Sequence, residues 1–259
     1  MNRRLNRGAL AGALSLVAAG VLTSSAAATY HENLIREVHE TGDNGDYVVL
    51  QAFSAGQNHV SGRQVVTYDP GSGNPLSHVV LSNNVANGSN QATILVGDDT
   101  VPGADATDPG FNIDSNGGAV CFAEGTSITP APTGIDCMAY GFGILALPDV
   151  PPASPYGMLF PLGGPNFDGK SIVRSTARGC PTLLEAVDDT NNSAADFAYD
   201  APLARNNAAP ITETACPGGN PTSPTNPGTT PAKKKCKKKK KHKRSAEAAK
   251  KKKCKKKRK

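Results

Sequence analysis

The stretch 45-GDYVVLQAFSAG-56 indicates the class of fold. Successive side chains of an extended strand point to opposite faces. This stretch would place Tyr47, Val49, Gln51 and Phe53 on one face and Val48, Leu50 and Ala52 on the other. β-Branched and aromatic residues favour this conformation, and glycines bound the run at both ends. The stretch therefore predicts a β-strand.

Similar short runs recur along the chain, separated by Gly, Asn, Asp and Pro. They are 34-LIREVH-39, 75-PLSHVVLSN-83, 91-QATILVGDD-99, 117-GGAVCFAEG-125, 135-IDCMAYGFG-143 and 170-KSIVRST-176. The first run also hints at a helix, but we interpret it as the first strand. Within residues 29–216, strands and helices do not alternate, and no internal repeat is present. Many short strands separated by turn residues predict an all-β sandwich or barrel.

The N-terminus has the composition of a secretory signal peptide. Three arginines precede an apolar stretch from Ala9 to Leu22, and small residues for cleavage follow at 26–28. The alternative is a retained N-terminal anchor, but the stretch is shorter than the roughly 20 residues that a transmembrane helix needs. We expect residues 1–28 to be removed. The mature protein would then be secreted, and either extracellular or associated with the cell envelope.

Six cysteines in an exported chain favour disulfides. None lies in a CxxC pair, so a zinc site is not expected. We predict the pairs Cys121–Cys137 and Cys180–Cys216 because each joins neighbours in the sequence, although four cysteines allow three pairings. Each bridge would stabilise the fold by roughly 3–4 kcal/mol.

The charge of the chain is divided between an acidic body and a basic tail. Residues 29–231 contain 6 Lys and Arg against 21 Asp and Glu, and residues 232–259 contain 19 Lys and Arg against one Glu. The sequence 217–232 is rich in Pro, Gly, Thr and Asn, which is typical of an extended linker. The predicted organisation is a β domain at 29–216, this linker, and a Lys-rich tail at 233–259.

The tail is the predicted binding site. Repulsion between lysines and the lack of apolar residues predict that the linker and tail are disordered. The binding residues are Lys233, Lys234, Lys235, Lys237, Lys238, Lys239, Lys240, Lys241, Lys243, Arg244, Lys250, Lys251, Lys252, Lys253, Lys255, Lys256, Lys257, Arg258 and Lys259. Two further cysteines, Cys236 and Cys254, lie within the tail. They can pair with each other if the tail folds back near Ser245, pair between chains, or stay reduced.

Lysine favours polyanions without fine selectivity. The tail has no aromatic residue to stack on bases and no apolar face to enter a membrane. We therefore expect an anionic polymer of the envelope or matrix as its partner. Extracellular DNA is the alternative. A tail that only aids export or solubility, or that associates with the acidic body, is a further possibility.

Four segments together resemble the lamin tail domain family. They are 34-LIREVHETGDNGDYVVLQAFSAGQNHVSGRQVVTYDPGSG-73, 114-DSNGGAVCFAEG-125, 134-GIDCMAYG-141, and 171-SIVRSTARGC-180 followed by 188-DDTNNSAADFAYDAPLARNNA-208. The resemblance extends from about Asn33 to Ala209. The chain departs from the family pattern at Arg63, where an aromatic residue is frequent, and in a long Pro-rich insertion at 147–169. The resemblance implies an immunoglobulin-like β-sandwich and an exported surface or binding module that is not an enzyme.

Catalytic signatures are absent from the body: it contains no GxSxG, no HExxH and no P-loop. We predict no catalytic residues, no cofactor and no resident metal. An exported hydrolase with an unrecognised site is the alternative, and it would lose its activity when one histidine is substituted. The oxygen-rich loop Asp188–Asp196 could bind Ca²⁺, but it lacks the EF-hand spacing, and a solvated loop with Asx turns is the competing interpretation.

Overall fold

The computed structural model describes residues 30–42, 44–141 and 157–216. The strands are β1 (Asn33–His39), β2 (Tyr47–Ala52), β3 (Arg63–Tyr68), β4 (Pro75–Leu81), β5 (Thr93–Gly97), β6 (Ala106–Thr107), β7 (Gly117–Glu124), β8 (Gly134–Gly141), β9 (Phe160–Pro161), β10 (Ser171–Arg174) and β11 (Phe197–Asp200). The helical elements are α1 (Ser193–Asp196) and short 3-10 helices at Tyr30–Glu32, Pro165–Gly169 and Ala186–Asp188. No helix among these residues is long and apolar enough to cross a membrane.

The strands form two sheets. Sheet A has the order β11-β10-β1-β2-β5-β6, and sheet B has the order β4-β3-β7-β8-β9. Neighbouring strands are antiparallel, except that β6 runs parallel to β5 and β9 runs parallel to β8. The sequence-based prediction of an all-β sandwich is therefore confirmed at the level of two packed sheets.

The main core lies between the sheets. Sheet A contributes inward-facing residues such as Val48 and Leu50, and sheet B contributes residues such as Val120, Phe122 and Met138, all of them buried. Alternation sends every second side chain of a strand into this layer. The opposite side of β2 is buried as well, because its Val49 packs in a separate cluster on the outer face of sheet A.

Each run that the sequence predicts to be extended contains a strand in the structure, including 34-LIREVH-39 in β1. The strand predicted at residues 135–143 is described only as far as Gly141. The predicted signal peptide (1–28), linker (217–232) and tail (233–259) lie outside the described residues.

The C-terminal strap, residues 201–216, crosses the outer face of sheet A after β11. It is held by side chains rather than by strand pairing. The Leu203 amide donates to Glu37, Thr93 donates to the Asn206 carbonyl, and Asn207 donates to the Thr93 and Asn87 carbonyls. The strap therefore gives the outer face of sheet A a second layer.

Candidate functional site

The tail residues predicted to bind a polyanion all lie outside the described residues, so the structure does not place them. The predicted disulfides lie within the described body. Cys121 bonds to Cys137, its register partner across β7 and β8, and Cys180 bonds to Cys216. These are the two pairs that the sequence analysis predicts. The second bridge ties the end of the strap to the segment that follows β10.

A serine, a histidine and a glutamate meet on the outer face of sheet A. The Ser171 hydroxyl lies 2.6 Å from Glu37 Oε1 and 3.1 Å from His39 Nδ1. In a hydrolytic triad the acid orients the histidine, which faces the nucleophile. Here the hydroxyl donates directly to the acid, Ser171 is fully buried, and Tyr47 and Leu203 donate to the same oxygen. The cluster joins β1, β2, β10 and the strap and presents no exposed nucleophile.

A charged network occupies the core where the two sheets meet. Arg174 of β10 is fully buried and donates to Asp136 of β8 at 2.7 Å and 2.9 Å, to Asp189 at 3.1 Å, and to the Ile35 carbonyl. Its guanidinium also lies 4.5 Å from the centre of the Phe197 ring. Burial opposes this charge, but Asp136 and Asp189 more than offset it and raise the pKa of Arg174. The network connects sheet A to sheet B through charge-assisted hydrogen bonds.

The oxygen-rich loop Asp188–Asp196 is bonded internally. Asp196 lies 2.8 Å from the Arg178 guanidinium and accepts hydrogen bonds from Thr190. Asp188 accepts from the amides of Glu185 and Arg178. Across residues 30–42, 44–141 and 157–216, no group of three or more His, Cys, Asp or Glu is placed to hold a metal ion. The carboxylates of Asp188 and Asp196 are therefore engaged in hydrogen bonds and an ion pair within the body.

Glu40 is a buried carboxyl at the end of β1. Its side chain is 2% exposed, and Oε2 has no hydrogen-bond partner among the described residues. Burial, and then the charge of Asp46, raise the pKa of Glu40 to about 7. The group therefore titrates close to neutral pH.

A cavity of about 80 Å³ lies between sheet A and the start of the strap. Arg36, Glu37, Val49 and Val173 line it from the sheet. Four further residues line it from the end of β11 and from the strap: Asp200, Ala201, Leu203 and Arg205. A hydrophobic floor next to two guanidinium groups gives this cavity the composition of a small ligand site.

A bulge in β1 brings Arg36 into the cavity. Ile35 lies opposite Leu50 and Glu37 lies opposite Val49, so Arg36 is an extra residue in the strand. Bulges of this kind redirect side chains and are frequent near functional sites. Nη1 of Arg36 is buried without a hydrogen-bond partner among the described residues. The sequence analysis missed this site. The available signal was the adjacent Arg-Glu pair, which interrupts the alternation of an otherwise apolar strand.

Two more open depressions lie along the edges formed by β4 and β6, with volumes of about 230 Å³ and 300 Å³. They share Asn84, Val85 and Asp105. Asn84 and Asp105 can offer amide and carboxylate hydrogen bonds to a partner, and both depressions are more open than the strap cavity.

Comparison of the chain with protein-family models, with curated proteins and with solved structures found no match.

Proposed function

We propose that the protein is an exported, non-enzymatic binding module that is attached to an anionic polymer of the envelope or matrix by residues 233–259. The observation that carries the proposal is the division of charge, with 19 Lys and Arg in the last 28 residues against 6 in residues 29–231. So dense a cation run binds polyanions mainly through charge and counterion release. The body would present its loops and cavities to a second partner.

The disulfides support export. Bridges such as Cys121–Cys137 and Cys180–Cys216 form and persist in oxidising compartments outside the cytoplasm. A signal peptide at residues 1–28 would deliver the chain there. We propose further that the two-sheet body is an immunoglobulin-like sandwich of the lamin tail type, since the segments that carry this resemblance run through both sheets.

The tail could instead associate with the acidic body, and the burial of the body's carboxylates weakens that alternative. Seven of them are buried: Glu37, Glu40, Asp46, Asp98, Asp136, Asp188 and Asp196. Others, such as Asp189 and Glu213, already pair with arginines. The formal negative charge of the body therefore exceeds the number of carboxylates that are accessible to the lysines of the tail. An external polyanion is the stronger competitor for these lysines.

The test measures retention of the mature protein on isolated cell walls and on duplex DNA across a salt series. One variant replaces every Lys and Arg of residues 233–259 with Gln. The matched control replaces each tail Lys with Arg, which keeps the charge. We expect wild type and control to bind walls and to elute with rising salt, while the Gln variant is not retained.

Wall retention of the Gln variant equal to that of wild type would show that the tail is not the anchor. Elution from DNA at clearly higher salt than from walls would replace the envelope proposal with extracellular nucleic-acid binding.

A further inference from the structure

We propose that the cavity beneath the strap binds a carboxylate group, with the Arg36 guanidinium as its main contact. This site is separate from the tail, and its ligand would be a small organic acid or the acidic unit of a larger molecule. The proposal does not depend on envelope attachment by residues 233–259.

Arg36 forms no ion pair with a carboxylate in the described part of the chain. The ion pairs among the described residues join Arg174, Arg178 and Arg205 to carboxylates, and none involves Arg36. Arg36 as a whole is half-buried, but its Nη1 atom is buried without a hydrogen-bond partner among the described residues, and a buried cationic nitrogen without a partner is unfavourable. Burial, and then the nearby positive charge of Arg205, lower the pKa of Arg36, although the charges of Glu213 and Glu37 act in the opposite direction. A bound anion would relieve both effects.

Glu37, the acid next to Arg36 in the chain, is already engaged by hydrogen bonds. Glu37 Oε1 accepts hydrogen bonds from Tyr47, Ser171 and Leu203, at 2.7 Å, 2.6 Å and 2.8 Å. These bonds hold the carboxylate toward β2, β10 and the strap. The bulge therefore presents a guanidinium fork to the cavity, while Glu37, which also lines the cavity, is held by hydrogen bonds from three other groups.

The charges that line the cavity favour a monoanion over a dianion. Arg36 and Arg205 line the cavity together with Glu37 and Asp200, so two positive charges are accompanied by two negative ones. A dianionic phosphate would be repelled by the carboxylates, whereas a monoanion would be repelled less. A planar carboxylate also matches the fork of arginine in bidentate geometry.

The size and the lining of the cavity suit a small carboxylate. A volume of about 80 Å³ matches a few water molecules, which suits a carboxylate with a short hydrocarbon portion. Val49 and Val173 provide an apolar floor for that portion. Leu203 lies at the rim and is 59% exposed, so the chemical group beyond the carboxylate can extend toward solvent.

The experiment titrates full-length mature protein with sodium acetate and follows the methyl resonances of Val49 and Val173 by NMR at constant ionic strength. Parallel titrations use D-glucuronate, N-acetylglycine and phosphate. Every variant keeps the tail, so weak binding of anions to lysines is common to all. We expect saturable shifts at roughly millimolar carboxylate. Tighter binding of glucuronate would indicate an acidic sugar as the source, and tighter binding of N-acetylglycine would indicate a peptide terminus.

Arg36→Gln should weaken carboxylate binding at least tenfold and leave the melting temperature unlowered, since it removes a cation without a partner. Arg178→Gln, the matched control, removes an arginine elsewhere and should leave the affinity unchanged. The proposal fails if the valine shifts do not saturate, if Arg36→Gln binds acetate as wild type does, or if phosphate binds more tightly than acetate. Should Arg36→Gln not fold, the wild-type methyl shifts and the preference for acetate over phosphate still decide the matter.

Discussion

Replacing Arg174 should test whether the charged network, rather than the apolar core alone, holds the two sheets together. Arg174→Met removes both bonds to Asp136, the bond to Asp189 and the bond to the Ile35 carbonyl. Asp136 is 2% exposed and would keep only its bond from the Ile35 amide. Leaving one member of a buried pair without its counter-charge costs about 3–5 kcal/mol. That is a large part of the about 5–15 kcal/mol that stabilises a typical domain.

Urea denaturation followed by circular dichroism would measure this cost. The control is Arg178→Met. The Arg178 side chain is 32% exposed, so its replacement should lower the free energy of unfolding by about 1 kcal/mol. The double variant Arg174→Met with Asp136→Leu should recover most of the loss, because an apolar pair can replace a buried ion pair. A loss below about 1 kcal/mol for Arg174→Met, or a double variant less stable than the single one, would refute the reasoning.

Three further perturbations probe separate features of the body. Because the folded pKa of Glu40 is about 7, against 4.5 ordinarily, stability should fall as pH rises between these values. Glu40→Gln should make that slope shallower without removing it, because burial also raises the pKa of Asp46 and Asp105. With solvent screening part of the charge, the substitution should add about 1 kcal/mol at pH 8 in urea titrations; an unchanged slope would contradict the assignment. Replacing Cys180 and Cys216 with Ala should lower the free energy of unfolding by about 3–4 kcal/mol and make the strap the first site of limited proteolysis. A variant as resistant to protease as wild type would show that the side-chain hydrogen bonds alone hold the strap in place. An added methyl at Gly97 would lie 2.6 Å from the carbonyl oxygen of Asp46, the residue before β2, so Gly97→Ala should lower the free energy of unfolding by about 1–3 kcal/mol in thermal unfolding. Gly71→Ala, with ordinary spacing, is its control, and equal melting temperatures would contradict the packing argument.

The longer strands could be predicted because local patterns determine them. β2 alternates between the core and the outer cluster, and its β-branched residues suit both environments. The short strands β6 and β9 could not be predicted in this way. Each has two residues and owes its extended conformation to a parallel neighbour that lies elsewhere in the sequence.

The charged features of the body were harder to predict than its strands. Arg174 and Asp136 are 38 residues apart, and only the packing of the two sheets makes them a pair. The role of Arg36 depends on a bulge, which changes the face that a side chain occupies without changing composition. The tail is the opposite case, because its Lys-rich composition alone predicts polyanion binding. The retention experiment on cell walls and DNA tests that prediction.

The Cys180–Cys216 bridge has a mechanical consequence. Residue 216 is the last one before the linker, so a pull on the linker or tail reaches the body first at this sulfur. The disulfide then transmits the force to Cys180 and on toward β10. The hydrogen bonds of the strap do not bear this load. Under force applied to the linker or tail, the strap would thus stay bound to sheet A. The cavity beneath the strap would stay intact until β10 separates from β1.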